Sequence, residues 1–215
     1  MIFGKIDYLN LLPFHMFLKR RLRSSSEKSA WQRHGSVPSG INRAFKSGRI
    51  DAAVVSSIKS RSLRCTDMGI IADGEVRSVL LLPGSFEKDR ESDTSNALAK
   101  VLKLEGRVVI GDKALRLHLQ GIDAVDLAAE WKKRENLPFV FARLCSNRRH
   151  FRRIKKLTKE FHLKKERVPR YILKRKAAIH GITESELIDY LNLIYYKIGW
   201  REKRSLKRFL NLARR

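Results

Sequence analysis

The chain is short of acidic residues, of cysteine and of unbroken apolar sequence, and each shortage excludes something. Only 22 Asp and Glu stand against 47 Lys and Arg, a formal net charge of +25 over 215 residues, so a partner or substrate is expected to be anionic. Nucleic acid, an acidic membrane surface and small carboxylates or phosphates are the classes left. Cys65 and Cys145 stand far apart, with no CxxC pair and no histidine at zinc spacing. The spacing therefore predicts neither a disulfide framework nor a metal site, and a reducing cytoplasm fits. No run of about 18 apolar residues occurs, so no membrane-spanning helix is expected. The start "MIFGKIDYL" lacks a basic region, an apolar stretch and a small-residue cleavage site, which argues against a secretory signal. GxGxxG and GxxxxGK[ST] are both absent, which removes the main nucleotide-binding fingerprints. His15, His34, His118, His150, His162 and His180 show no HExxH and no metal-binding pair one helical turn apart.

What is present is enough apolar sequence, 43% of the chain, to bury a substantial core. Ile2 to Ile6 reads as a strand. Pro13 then opens a helix carrying Phe14, Phe17, Leu18 and Leu22 at helical spacing. Ser24 to Gly35 is polar and turn-rich and reads as a loop or linker with a short strand at most. Ser39 is placed to cap a helix bearing Ile41 and Phe45, Gly48 to end it, and Ile50 to Val55 to form a β-branched strand. "MGIIADGEVRSVLLLPG" carries a hairpin-like turn at Asp73-Gly74, then a strand. "ESDTSNALAKVLKLEG" reads as a capped helix ending at Gly106, "RVVIGD" as a buried strand, "DAVDLAAEWKKREN" as a helix facing inward with Leu127 and Trp131, and "LPFVFARL" as a further strand. From Ser146 onward the pattern is helical and basic. This order argues for an α/β protein with two lobes. No internal repeat occurs.

Candidate chemistry lies at element ends. Ser92, Thr94 and Ser95 stand at a helix start, where free N–H groups suit a carboxylate or phosphate, although Ser and Thr there are also ordinary caps. Ser56 and Ser57 follow the carboxyl end of a strand, where open α/β sheets place ligands. Asn10 occupies the matching position after the first strand. In "VVIGDKAL", Asp112 is a carboxylate near a strand end, and Gly111 and Asp112 join the candidate substrate contacts. The basic segment "RRHFRRIKKLTKEF" has the charge of a nucleic-acid stripe, with Phe151, Phe161 and Tyr171 available for stacking. Its apolar residues Phe151, Ile154, Leu157 and Phe161 recur at helical spacing, however, which favours their packing inward beneath a solvated basic face over a nucleic-acid stripe.

Several segments, taken in order, add a family resemblance: "GKIDYLNLLPF", "GSVPSGINRAFKSGRIDAAVVSS", "VRSVLL", "SDTSNAL", "VVIGDKAL", "DLAAEWKKRENLPFVFA" and "YLNLIYYKIGWREKRSLKRFLNLA". Together they resemble the chorismate dehydratase family of the futalosine route to menaquinone. The resemblance implies a two-lobed fold like type 2 periplasmic binding proteins, with lobe 1 formed by residues 1–80 and 146–215 and lobe 2 by residues 81–145. "VRSVLLLPG" and "PFVFARL" would be the two hinge crossings. It also implies loss of water from chorismate to give 3-[(1-carboxyvinyl)oxy]benzoate, with no cofactor and no metal. In this family Asn10 and Ser78 would be catalytic, and Thr94 and Ser95 would hold a substrate carboxylate. The expected partner is the small molecule chorismate, with no specific nucleic acid and no membrane. The rival readings are the related 1,4-dihydroxy-6-naphthoate synthase, a non-catalytic carboxylate-binding protein and a basic nucleic-acid-binding protein.

Overall fold

The computed structural model describes residues 1–22, 24–164 and 166–214. Its elements fall on two antiparallel sheets. Leu9–Leu11 forms a 3₁₀ turn leading into α1 (Leu12–Arg21), with Pro13 in the first turn, and Phe14, Phe17, Leu18 and Leu22 are all buried. The stretch before it makes two isolated parallel bridges, Phe3 to Ala52 and Lys5 to Gly35, in place of the expected continuous strand. The Ser24–Gly35 segment, read as a loop, is a helix, α2 (Ser25–Arg33). The Ser24 side chain accepts from the Glu27 N–H, and Trp31 is the helix's buried residue. The capping signal Ser-x-x-Glu was present in the sequence and outweighs the local polarity. In α3 (Pro38–Lys46) Pro38 occupies the first turn, and Ser39 lies inside the helix without the expected capping role. Gly48 follows with φ of +73°.

The first sheet contains β1 (Ala52–Ser56), β2 (Cys65–Ala72), β6 (Phe139–Ser146) and β7 (Ile194–Lys197), in the spatial order β1-β6-β2-β7. The second contains β3 (Val79–Leu82), β4 (Arg107–Ile110) and β5 (Val125–Asp126), ordered β4-β3-β5. Around it stand α4 (Asp93–Leu102), α5 (Gly111–Leu119) and α6 (Leu127–Glu135). The remaining helices are α7 (Phe151–Leu163), α8 (Arg170–His180), α9 (Glu184–Asn192) and α10 (Trp200–Leu212). The apolar runs of β1 and β3 are buried along their whole length, because both faces of each strand are covered. On β3, Leu80 and Leu82 pack with Val109 and Ala114, while Val79 and Leu81 join the main core. Strand periodicity separates the two sets.

The Asp73-Gly74 turn does not close a hairpin, because β2 and β3 belong to different sheets. It begins the first crossing between the sheets. The second crossing precedes Phe139, which pairs with Ala72. The two crossings therefore lie side by side. β6, expected within the 81–145 lobe, pairs along both edges with β1 and β2 of the first sheet. β7 departs from the helical pattern expected after Ser146: the strand is four residues long, too short a stretch to display a period of two.

The two cysteines overturn the expectation of free thiols. Cys65 and Cys145 stand opposite each other in the β2–β6 ladder and form a disulfide. Sequence spacing gave no hint of this, since the 80-residue separation is closed only by the return of β6. Among the described residues no helix is long and apolar enough to cross a membrane. On α7, Ile154, Thr158 and Phe161 point inward, while Arg152, Lys155, Lys156 and Lys159 are exposed. Phe161 packs edge-on against Phe14 and is unavailable for base stacking. Tyr171 is exposed.

His15 is buried on α1 and edge-on to Trp31 at 5.3 Å. Burial, with Lys5 adding to it, pushes its pKa from 6.5 down to about 3. Below pH 6.5 the unfolded chain binds a proton that the folded chain refuses until about pH 3, so stability falls as pH falls across that window. The slope contributed by one such group approaches about 1.4 kcal/mol per pH unit. Urea unfolding between about pH 7 and pH 4.5 is expected to show a shallower dependence in His15→Gln than in the parent. Parallel slopes in the two proteins would remove His15 from the acid response.

Candidate active site

A cavity of about 70 Å³ lies where the two sheets face each other. Asn10 enters it from the 3₁₀ turn, Ser56 from the end of β1, Ser78 from the first crossing, Ser92 and Ser95 from the start of α4, and Gly111 from the start of α5. Ile6, Val54, Ile70 and Phe141 supply apolar walls. Among the described residues, no Asp, Glu, His, Lys or Arg side chain lines it. The polar equipment is neutral hydroxyl and amide groups with the N-terminus of one helix, a combination suited to holding anions through hydrogen bonds.

Each polar group has a defined anchor. The Ser56 hydroxyl accepts from Asn42 Nδ2 at 2.9 Å, and the Ser56 N–H donates to Asn42 Oδ1 at 3.2 Å. Ser92 Oγ accepts the Ser95 N–H at 3.1 Å and donates to Ser95 Oγ at 2.8 Å. Ser78 follows Arg77, whose φ of +59° is left-handed. That bend is held by Asp126, which accepts the N–H groups of Val76 and Arg77 at 2.8 and 2.6 Å with one oxygen and those of Ala128 and Ala129 with the other. Burial pushes the Asp126 carboxyl above the usual carboxylate range, although its four N–H donors oppose the shift. Gly111 is left-handed at φ +68°, and a Cβ there would meet the Tyr8 ring at 2.9 Å. Tyr8 donates to Glu91, which ties the first-sheet side of the cleft to the loop before α4.

Three of the expected site residues lie outside the cavity. Ser57 donates to the Val140 carbonyl at 2.6 Å and is fully buried. It is adjacent to Ser56 but faces away, as neighbours on an extended chain must. Thr94 Oγ1 accepts the Ile58 N–H at 3.2 Å, tying α4 to the segment after β1. Asp112 accepts the Leu9 N–H at 3.2 Å and lies 3.2 Å from His180 Nδ1. Burial raises its pKa, while His180 and the Leu9 N–H oppose the rise. Its role in this geometry is to anchor the turn that carries Asn10. Sequence reasoning gave no role to Tyr8, Asn42 or Tyr190, whereas Ser92 was among the hydroxyls expected at the start of α4. Tyr190 is buried on α9 and donates to Ser78 Oγ at 2.9 Å.

A second cavity of about 620 Å³ opens beside the first and is lined by Arg43, Lys46, Lys59, Arg61 and Arg90, with Asp93 the acid among them. Asn42 stands between the two, also reaching Asp93 at 3.5 Å. Lys59 lies 3.7 Å from Asp93. A mostly cationic lining of this kind raises the local concentration of an anion on this side of the protein.

A family model described as menaquinone biosynthesis matches residues 1–106 and 90–215. A curated chorismate dehydratase from Campylobacter jejuni subsp. jejuni serotype O:23/36 (strain 81-176) is 43% identical over 220 residues, covering 100% of this chain and 98% of that protein. Among solved structures, protein AF1704 from Archaeoglobus fulgidus superposes with a TM-score of 0.62 at 10% identity, covering 99% of this chain and 96% of that one. The alkanesulfonate-binding protein SsuA from Xanthomonas axonopodis pv. citri, bound to MOPS, gives a TM-score of 0.50 at 12% identity, covering 97% and 90%. These structural likenesses bear on the fold, which is that of the periplasmic binding proteins.

Proposed function

The chain belongs to the chorismate dehydratase family of menaquinone biosynthesis, and from that membership we propose that it is a hydro-lyase converting chorismate to 3-[(1-carboxyvinyl)oxy]benzoate in the cytoplasm, without a cofactor. The observation that carries the mechanism is the chemistry of the cavity: hydroxyls, an amide and helix starts, with no Asp, Glu, His, Lys or Arg side chain among the described lining residues. Chorismate is a dianion. Its carboxylates suit the Ser92–Ser95 helix start and the Ser56 hydroxyl, and the cations around the second cavity favour an anion nearby.

The reaction removes the C3 proton and the C4 hydroxyl and leaves an aromatic ring, whose formation drives it forward. With no carboxylate, imidazole or amine among the described lining residues, the enolpyruvyl carboxylate of the substrate takes the C3 proton. The C3–H electron pair becomes the new ring π bond, the C4–O bond breaks, and the substrate's carboxyl passes the C3 proton to the departing hydroxyl, which leaves as water and restores the carboxylate. Ser78 and Asn10 orient the reacting groups and stabilise charge on the leaving oxygen. Ser57, Thr94 and Asp112 support the cavity walls from behind. Lobe 1 comprises the first sheet with its helices and lobe 2 the insertion between Ala72 and Phe139, with the cleft closing on substrate. The strongest protein alternative for the base is Asp112.

Asp112→Asn is expected to keep kcat within about tenfold of the parent, because both carboxylate oxygens are already engaged. A loss in the 10²–10⁴ range typical of a removed general base would assign the proton to Asp112. The direct test is incubation of purified protein with chorismate in metal-free buffer, with products separated by chromatography. Formation of the carboxyvinyloxy-benzoate above the protein-free control is expected. Tight binding with no turnover would favour the carboxylate-binding reading instead.

A further inference from the structure

Behind the Ser78 hydroxyl and the Asn10 amide stands a third group that is not part of the cavity wall. Tyr190 projects from α9, which is fixed at its start by the Thr183–Glu186 capping box, and is 1% exposed. Its O–H donates to Ser78 Oγ at 2.9 Å, and the Asn10 side chain lies beside the same phenol. A phenol has one proton. With that proton on Ser78, a hydrogen bond from Asn10 to the phenol oxygen runs through Nδ2. The Asn10 Oδ1 is buried without a hydrogen-bond partner among the described residues. The Asn10 carbonyl is held separately by the Tyr196 O–H at 2.8 Å.

We propose that Tyr190 is a positioning residue that sets the polarity of the two cavity groups, making Ser78 a hydrogen-bond donor and Asn10 Oδ1 an acceptor toward the substrate's leaving hydroxyl. The proposal rests on the dehydratase reading above. Ser78 Oγ already accepts from Tyr190, so its own hydrogen is directed to the cavity. A leaving hydroxyl requires both partners: its oxygen accepts from Ser78 as the C–O electron pair moves onto it, and its hydrogen is aimed by Asn10 Oδ1. Tyr190 gains and loses no proton in the reaction. Burial pushes its pKa upward, so the direction of the chain does not reverse across ordinary assay conditions.

Tyr190→Phe keeps the ring and removes the relay. Its kcat is expected to fall about 10- to 100-fold, the cost of a small misplacement of reacting groups, with KM within about threefold and the melting temperature near that of the parent. Combined with Ser78→Ala, it is expected to lose less than the product of the two single effects, because part of its effect passes through Ser78. A second variant leaves the phenol in place: Asn10→Asp keeps an oxygen toward the cavity but cannot donate to Tyr190, and is expected to lose activity comparably. Full turnover by a folded Tyr190→Phe, multiplicative losses in the double variant, or full turnover by Asn10→Asp overturns the proposal while Ser78→Ala and Asn10→Ala remain impaired. Normal turnover in those two alanine variants overturns the dehydratase assignment itself, and the proposal with it.

Discussion

Ser78→Ala is expected to reduce kcat for chorismate by about 10²–10³, the loss seen when one preorganised donor to a developing oxyanion is removed. The side chain is 1% exposed, so the site is dry and its hydrogen bond is worth more than in water. Its backbone is fixed independently by Asp126 through Val76 and Arg77, so the variant should fold with an unchanged cleft. KM should move little, because Ser56, Ser92 and Ser95 are left to hold the carboxylates. Steady-state kinetics beside circular dichroism make the comparison. A folded variant with kcat within threefold of the parent would strike Ser78 from the mechanism.

Trp131→Ala carries the largest expected effect on stability. Trp131 is fully buried on α6 and edge-on to Phe139 at 5.4 Å and to Phe209 at 6.0 Å. Its indole N–H donates to Ser205 Oγ at 3.0 Å. Truncation leaves a cavity against two aromatic rings and strips a buried hydroxyl of its donor, a loss of about 3–5 kcal/mol for a Trp-to-Ala change. Against a typical total of about 5–15 kcal/mol, such a variant would stand close to unfolding at physiological temperature. Urea titration measures it, and Trp131→Phe should recover part of the loss. A change below about 1 kcal/mol would mean that α6, β6 and α10 are not stapled together by this residue.

Elements with strong local patterns were legible in the sequence: α1 through its proline and apolar spacing, α6 through Leu127 and Trp131, and β1 and β4 through their β-branched runs. The lining of the candidate cavity was legible in part, at Asn10, Ser56, Ser78, Ser92, Ser95 and Gly111. Ser56 and Ser57 were both candidates, as were Thr94 and Ser95. Local sequence finds the end of a strand or helix but not the face onto which each of two neighbours is turned, since a shift of one residue reverses the face in a strand and rotates it by about 100° in a helix. The structure turns Ser56 and Ser95 to the cavity and the other two to backbone partners. Tyr190 was illegible for a different reason: its meaning depends on Ser78, 112 residues earlier. The disulfide was hidden in the same way, by a pairing that exists only once β6 has returned.

That return has a temporal consequence. β1 and β2 do not touch each other; the strand between them is β6, and a ribosome supplies it only after the whole inserted lobe has been made. Until Phe139 to Ser146 emerge, each of the two early strands has an unsatisfied backbone edge in a largely apolar segment, the form of nascent chain most open to mispairing. The inserted lobe, whose strands and helices are contiguous in sequence, is suited to fold first as a unit. The first lobe waits for it, and closure of the β1-β6-β2 ladder becomes the late, long-range event that limits how fast a newly made chain reaches its working shape.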